Sequence, residues 1–248
     1  MLLLRRFFCV TTALLTACSD SATGSQDGDG RLSARPGTPT GSITAGKHDL
    51  GLTESGPDGF VWVPQSYDPA VPAPLIVLLH GGGRTSEEWR VDALEELFED
   101  RGAIVLAPDS RYRTWDRVNG IFGPDVAFID QALTKVFSQA NIDPARVAIG
   151  GFSDGGTYAL SLGLTNGDLF HEVMAFSPGF FSPRELHGQP RVFETHGTTD
   201  QILPIANTSR VIVPYLRSLG YDVTYIEFEG GHTLSMELAQ QAMAWWLE

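Results

Sequence analysis

Three residues carry the chemistry this chain could do. They are a serine in Gly151-Phe152-Ser153-Asp154-Gly155-Gly156, an aspartate in His196-Gly197-Thr198-Thr199-Asp200, and a histidine in Glu229-Gly230-Gly231-His232. A serine hydroxyl is nearly inert at neutral pH. It becomes a nucleophile when a neighbouring base takes its proton, and that base needs an acid to hold its tautomer and support its positive charge. His232 is the only histidine beyond Asp200, and Ser, Asp, His is one of the chain orders in which such a triad is assembled. The glycines fit as well: a sharp strand-to-helix turn strains the serine backbone, and neighbours without side chains avoid clashes there. A fourth feature, His80-Gly81-Gly82-Gly83, offers backbone N–H groups that could face an oxyanion. A phosphate-cradling loop is the rival reading, but Arg84-Thr85 follows where Gly-Lys-Ser/Thr would be needed.

Positioning these residues requires elements that end where they sit. Residues 43–50 and 59–64 read as short strands around a Gly-Pro-Asp-Gly turn. Residues 75–79 form a continuous apolar run, the pattern of a strand covered on both faces, and it ends at His80. The spacing predicts a helix over 86–99, a strand over 103–107, a helix over 124–139 and a strand over 146–150. A helix over 153–164 and strands over 172–176 and 191–195 come next. The run closes with a helix over 208–219 in which Pro214 marks a kink or late start, a strand over 222–228, and a helix over 234–247. This alternation argues for one α/β domain, a mostly parallel sheet with helices on both faces. It delivers Ser153, Asp200 and His232 to strand ends, where open α/β sheets place their ligands.

The loop after 103–107 holds Asp109, Ser110, Arg111, Trp115 and Asp116, and Phe180 and Phe181 occupy the matching loop after 172–176. Trp115, Phe180 and Phe181 are therefore expected to contact substrate. His80 precedes the wrong strand to act as the base and is expected to hold structure by hydrogen bonds. The remaining histidines, His48, His171, His187 and His196, form no ligand set, so neither a metal nor another cofactor is expected.

The N-terminus reads as an address. Arg5 and Arg6 precede an apolar stretch from 7 to 17, far short of the roughly 20 residues a membrane-spanning helix needs. Leu15-Thr16-Ala17-Cys18 resembles the lipobox of bacterial lipoproteins. That resemblance implies a signal peptide at 1–17, acylation of Cys18, export, and membrane anchoring on a face of the bacterial cell envelope. Residues 18–41 are rich in Ser, Thr, Gly, Asp and Pro, which predicts a flexible tether before a folded domain at 42–248. Cys9 and Cys18 are the only cysteines, so no disulfide framework can form. The formal charge of −13 disfavours binding to a phosphate backbone, and no nucleic-acid partner is expected.

Taken in order, LIVLLHGGG, APDSR, GFSDGG, AFSPGF, HGTTDQILP and GGHT resemble the serine hydrolases of α/β-hydrolase fold, specifically their phospholipase/carboxylesterase branch, over about residues 73–247. The resemblance implies a serine esterase working through an acyl-enzyme on small-molecule or lipid esters or thioesters. Ser153 would be the nucleophile, His232 the base and Asp200 its acid. The N–H groups of Asp154 and Gly82 would form the oxyanion hole, with Gly81 or Gly83 as the alternative to Gly82. Asp154 departs from the Gln or Met common in relatives, so its carboxylate is expected to turn aside while its N–H serves. Two other functions fit the same residues: a peptidase of this fold, and a binding lipoprotein on an inactive hydrolase scaffold.

Overall fold

The computed structural model describes residues 27–56, 58–90 and 92–248, and the expected signal peptide, Cys18 and the first part of the tether lie outside the described residues. Eight strands form one sheet in the order β1-β2-β4-β3-β5-β6-β7-β8: β1 (Gly46–Asp49), β2 (Gly59–Val63), β3 (Ala73–Leu79), β4 (Ile104–Pro108), β5 (Ile142–Phe152), β6 (Glu172–Phe176), β7 (Arg191–Gly197) and β8 (Val223–Phe228). The pairs β1–β2 and β2–β4 are antiparallel, and every pair from β4 to β8 is parallel. Every residue of β3, β4 and β6 is buried, which explains why these strands read as nearly unbroken apolar runs.

Alternation along β3 divides the core into two layers. Leu75, Val77 and Leu79 pack with α2 (Pro124–Gln139), α3 (Asp154–Thr165) and α4 (Ser209–Ser218), through residues such as Ile129, Leu133, Tyr158, Leu162 and Leu216. Ile76 and Leu78 face the other way, toward Leu94 and Phe98 of α1 (Asp92–Arg101) and Ala242, Met243 and Trp246 of α5 (Met236–Trp246). Proline at the first turn of α2 suits a position whose N–H has no helical partner. At α5 the Ser235 hydroxyl accepts the Leu238 N–H, the usual N-cap bond. Pro214 lies inside α4 without ending it, because the carbonyl it leaves free belongs to the exposed residue Arg210.

The single helix expected over 86–99 is instead two pieces, a short 3₁₀ turn at Ser86–Trp89 and then α1. Asp109 accepts the Ser86 N–H at 2.6 Å and Trp89 is buried, so the turn is pinned to the end of β4. Arg90, at φ −93° and ψ 79°, breaks the helical path.

Residues 27–41 also depart from expectation, since they lie against the domain as a strap. Leu32 and Ala34 are buried. The Leu32 N–H donates to Asn166 Oδ1, and Asn166 Nδ2 donates back to the Gly30 carbonyl. Arg31 forms a two-pronged pair with Asp168 at 2.8 Å per contact, and Asp130 accepts the N–H groups of Ser33 and Ala34. A segment poor in apolar residues is ordered here by polar groups far along the chain that take up its backbone donors. Leu32→Ala is accordingly expected to lower stability by about 2–3 kcal/mol, read as a shifted midpoint in denaturant. An unchanged midpoint would show that the strap contributes no packing.

Candidate active site

The sheet's carboxyl edge gathers the loops after β3, β5, β7 and β8. Ser153 sits between β5 and α3 at φ 57° and ψ −119°. Among the described residues it shares a positive φ with just one other non-glycine, Ser177. Its N–H donates to the Phe176 carbonyl at 2.8 Å. The turn closes because its glycines touch backbone on every side. A Cβ on Gly151 would fall 2.4 Å from the Gly155 carbonyl carbon, and one on Gly155 would fall 2.0 Å from the Leu79 oxygen.

The structure brings the three expected residues together. His232 Nε2 lies 2.8 Å from Ser153 Oγ, and its Nδ1 lies 2.6 Å from Asp200 Oδ2. Facing a carboxylate, Nδ1 carries the proton, which leaves the Nε2 lone pair toward the serine hydroxyl. Phe152 packs beneath the imidazole at 4.8 Å between ring centres. The Asp200 side chain is fully buried. Burial pushes its pKa up, but the Leu203 amide, the His232 N–H and the Ile202 amide together pull it below the ordinary aspartate value. Those amides reach Oδ1 at 2.8 Å each, so the carboxylate stays ionised.

After β3, the Gly81 N–H donates to Glu88 Oε2 and the Gly83 N–H to the Arg113 carbonyl, both at 2.7 Å. Among the described residues no acceptor bonds the Gly82 N–H, so of the three glycines Gly82 alone keeps its donor free. Gly82 also has no room for a side chain: a Cβ there would lie 2.2 Å from Asp154 Oδ2. The Asp154 carboxylate accepts the Thr114 hydroxyl at 2.6 Å and lines a pocket of about 370 Å³ with Arg113 and Asn119. As the first residue of α3, Asp154 presents an N–H with no intrahelical partner. His80 is buried, donating from Nδ1 to the Gly81 carbonyl and accepting the Ser110 N–H at Nε2. It has the structural role expected of it.

Trp115 does not contact the cleft, contrary to expectation. It is fully buried, donates its indole N–H to the His80 carbonyl and stacks on Tyr158 at 5.2 Å. Its loop is turned inward by two buried carboxylates. Asp125 accepts the N–H groups of Arg111 and Asp116, and Asp116 accepts those of Gly123 and Asp125. Burial, with the neighbouring Asp116, raises Asp125 to about 6. Asp109 and Ser110 are buried in the same loop. Phe180 and Phe181 line a groove of about 440 Å³ against Val211 and Tyr215 of α4. The cavity that includes His232, about 380 Å³, is walled instead by Glu88, Trp89, Phe152, Leu234 and Met236. Glu88 was legible in the sequence only as an acid in a first turn, and nothing there signalled that Thr114 would hold Asp154.

Comparison with known proteins agrees with this geometry. Residues 115–245, just over half of the chain, match the family model described as Phospholipase/Carboxylesterase. Feruloyl esterase C of Emericella nidulans is 31% identical over 150 residues, covering 58% of this chain and 54% of the relative. The chain thus aligns with about half the length of that relative. Among solved structures, esterase PE8 superposes with a TM-score of 0.61 at 24% identity, covering 77% of this chain and 98% of that one. A CE1 ferulic acid esterase from Anaeromyces mucronatus, in complex with ferulic acid, gives 0.60 at 19% identity, covering 85% and 95%. With its mostly parallel sheet and its serine at the strand-to-helix turn, the chain belongs to the phospholipase/carboxylesterase family of α/β-hydrolase fold.

Proposed function

We propose that this protein is a serine hydrolase that cleaves carboxylic esters of short to medium acyl chains through an acyl-enzyme on Ser153. The observation that carries the reading is the unbroken line of hydrogen bonds from Ser153 Oγ through the His232 ring to buried Asp200. His232 Nε2 takes the hydroxyl proton as Oγ attacks the acyl carbonyl, and Asp200 supports the imidazolium. The tetrahedral oxyanion is held by the N–H groups of Gly82 and Asp154. His232 then returns the proton to the departing alcohol oxygen, leaving the acyl group on Ser153. Water, deprotonated by the same imidazole, releases the acid and restores the hydroxyl. Thioesters would follow the same course with a thiol as leaving group.

The open cavity beside His232 supports short or medium acyl groups, and its aromatic wall of Trp89 and Phe152 also suits an aromatic acid such as the feruloyl group named for the relatives. A series of nitrophenyl esters from acetate to palmitate, with methyl ferulate alongside, tests this. Turnover is expected to peak at short or medium length, and a steady rise toward palmitate with a jump at an oil interface would overturn it. Export and a lipid anchor at Cys18 complete the reading, supported by the leader's charged start, apolar stretch and lipobox-like end. Cys18→Ser should move the protein from the membrane fraction to the soluble one, and an unchanged distribution would remove the anchor.

Gly82→Ala is expected to lower kcat about 100-fold, the usual cost of disturbing one oxyanion donor, because its methyl group would collide with the Asp154 carboxylate. Adding Asp154→Ala should recover part of that loss in steady-state assays of the double variant. No recovery would place the oxyanion donor elsewhere.

A further inference from the structure

Behind Asp200 lies a second buried histidine that the proposed reaction does not use. His196, near the end of β7, is fully buried. Its Nε2 lies 2.7 Å from the Leu203 carbonyl oxygen and 3.2 Å from Asp200 Oδ2, and its Nδ1 lies 2.6 Å from Ser209 Oγ. These contacts fix the tautomer. Among the described residues Nε2 faces two acceptors and no donor, so it carries the proton. Burial pushes the pKa of the ring down, so it stays neutral, and Nδ1 must accept the Ser209 hydroxyl proton.

We propose that His196 is a positioning residue for Asp200, sharing its Nε2–H between Asp200 Oδ2 and the Leu203 carbonyl, with its ring held in that tautomer by Ser209. The inference rests on the triad reading above. Its consequence is geometric. Asp200 Oδ2 accepts the His232 N–H at 2.6 Å and has His196 Nε2 3.2 Å away, while Oδ1 receives two backbone N–H groups. Three hydrogen bonds and the close His196 ring fix the plane of the carboxylate, and that plane sets the direction in which His232 is held. The same N–H ties the Leu203 carbonyl, so His196 braces the turn that supplies both amides.

The network continues one step further from the site. Glu194 lies two residues before His196, on the same face of β7. It is fully buried, and among the described residues neither of its carboxyl oxygens has a hydrogen-bond partner within normal bonding geometry. Burial raises it to about 8, partly offset by the nearby Ser209 hydroxyl. A protonated carboxyl beside Ser209 leaves that hydroxyl free to donate to His196, whereas a carboxylate would compete for its proton.

The test uses the full chain with His196→Phe, His196→Gln and Ser209→Ala. Phenylalanine keeps the ring volume and removes both nitrogens, while glutamine can place an amide N–H near the Nε2 position. With nitrophenyl acetate as substrate, His196→Phe is expected to lose kcat about tenfold or more with KM within twofold, the behaviour of a misplaced catalytic group. His196→Gln should recover most of the loss, and Ser209→Ala should lose a few-fold. The NMR resonance of the His232 Nδ1 proton reads the bond to Asp200 directly and should move in His196→Phe and Ser209→Ala, which a packing role alone would not cause. The proposal is overturned if His196→Gln falls as far as His196→Phe, or if kcat and the resonance stay unchanged in His196→Phe. Should that variant not fold, unchanged values in Ser209→Ala overturn it equally. Labelling of Ser153 by a fluorophosphonate separates the two levels. A labelled parent with indifferent His196 variants sinks this inference alone, and an unlabelled parent sinks it together with the triad reading.

Discussion

Alanine in place of His232 is expected to lower kcat for an activated ester by about 10⁴- to 10⁶-fold while leaving the circular dichroism spectrum unchanged. The magnitude follows from the dependence of one group on another. Without a base 2.8 Å from its oxygen, Ser153 keeps its proton at neutral pH, and the departing alkoxide has no acid to protonate it. What remains is oxyanion stabilisation and binding, worth about 10³- to 10⁴-fold over water in enzymes stripped of a triad member. Removing Ser153 as well should therefore cost almost nothing more. Asp200→Asn should lose about 10⁴-fold by another route, because an amide N–H at the Oδ2 position would turn His232 to the tautomer that cannot accept the serine proton. A His232→Ala enzyme within tenfold of the parent would contradict these roles. The fold is not at risk in that experiment, since the His232 side chain is partly exposed and, among the described residues, makes its hydrogen bonds within the triad.

Gly155→Ala is expected to have the opposite signature, with loss of the folded protein itself. Its new methyl carbon would lie 2.0 Å from the Leu79 oxygen and 2.6 Å from the His80 oxygen. Both atoms are backbone at the end of β3, a strand bonded into the sheet on either side, so neither can move by an ångström without breaking its ladder. Relief would require α3 to lift from the sheet, exposing Tyr158, Ala159 and Leu162, all fully buried. Effects of this kind exceed about 4 kcal/mol, against a total stability of about 5–15 kcal/mol for a domain. The expected result is insoluble protein or a melting temperature lowered by 10 °C or more. Gly37→Ala provides the control, because nothing lies within 4 Å of a Cβ there. A Gly155→Ala protein melting with the parent would mean that the close approach of α3 to β3 is not as described.

The contrast between these two positions shows what was legible in the sequence. Strands covered on both faces announce themselves as apolar runs, and α2 and β6 fall at their expected limits. The three residues at Ser153, Asp200 and His232 were readable because each follows a strand, and parallel strands of one sheet deliver their ends to one edge. Contacts set by distant polar partners were not readable. Asp130 and Asn166 order the strap at 27–41, yet neither residue's type nor its neighbours foretell a partner about a hundred or more positions away. Trp115 was misplaced for the same reason: a large aromatic in a loop at the active edge suits a binding wall or a core anchor. The choice is made by Asp116 and Asp125, whose mutual amide bonds turn the loop inward. Sequence spacing offers His196 no metal-binding partner, yet its place just before Gly197 at the end of β7 sets it against Asp200.

The activation of Ser153 as a nucleophile is tested most directly by the intact mass of the full chain after exposure to a fluorophosphonate, beside Ser153→Ala. One adduct in the parent and none in the variant is the predicted result. A folded parent that takes no adduct, or a Ser153→Ala variant that takes the same one, would contradict it.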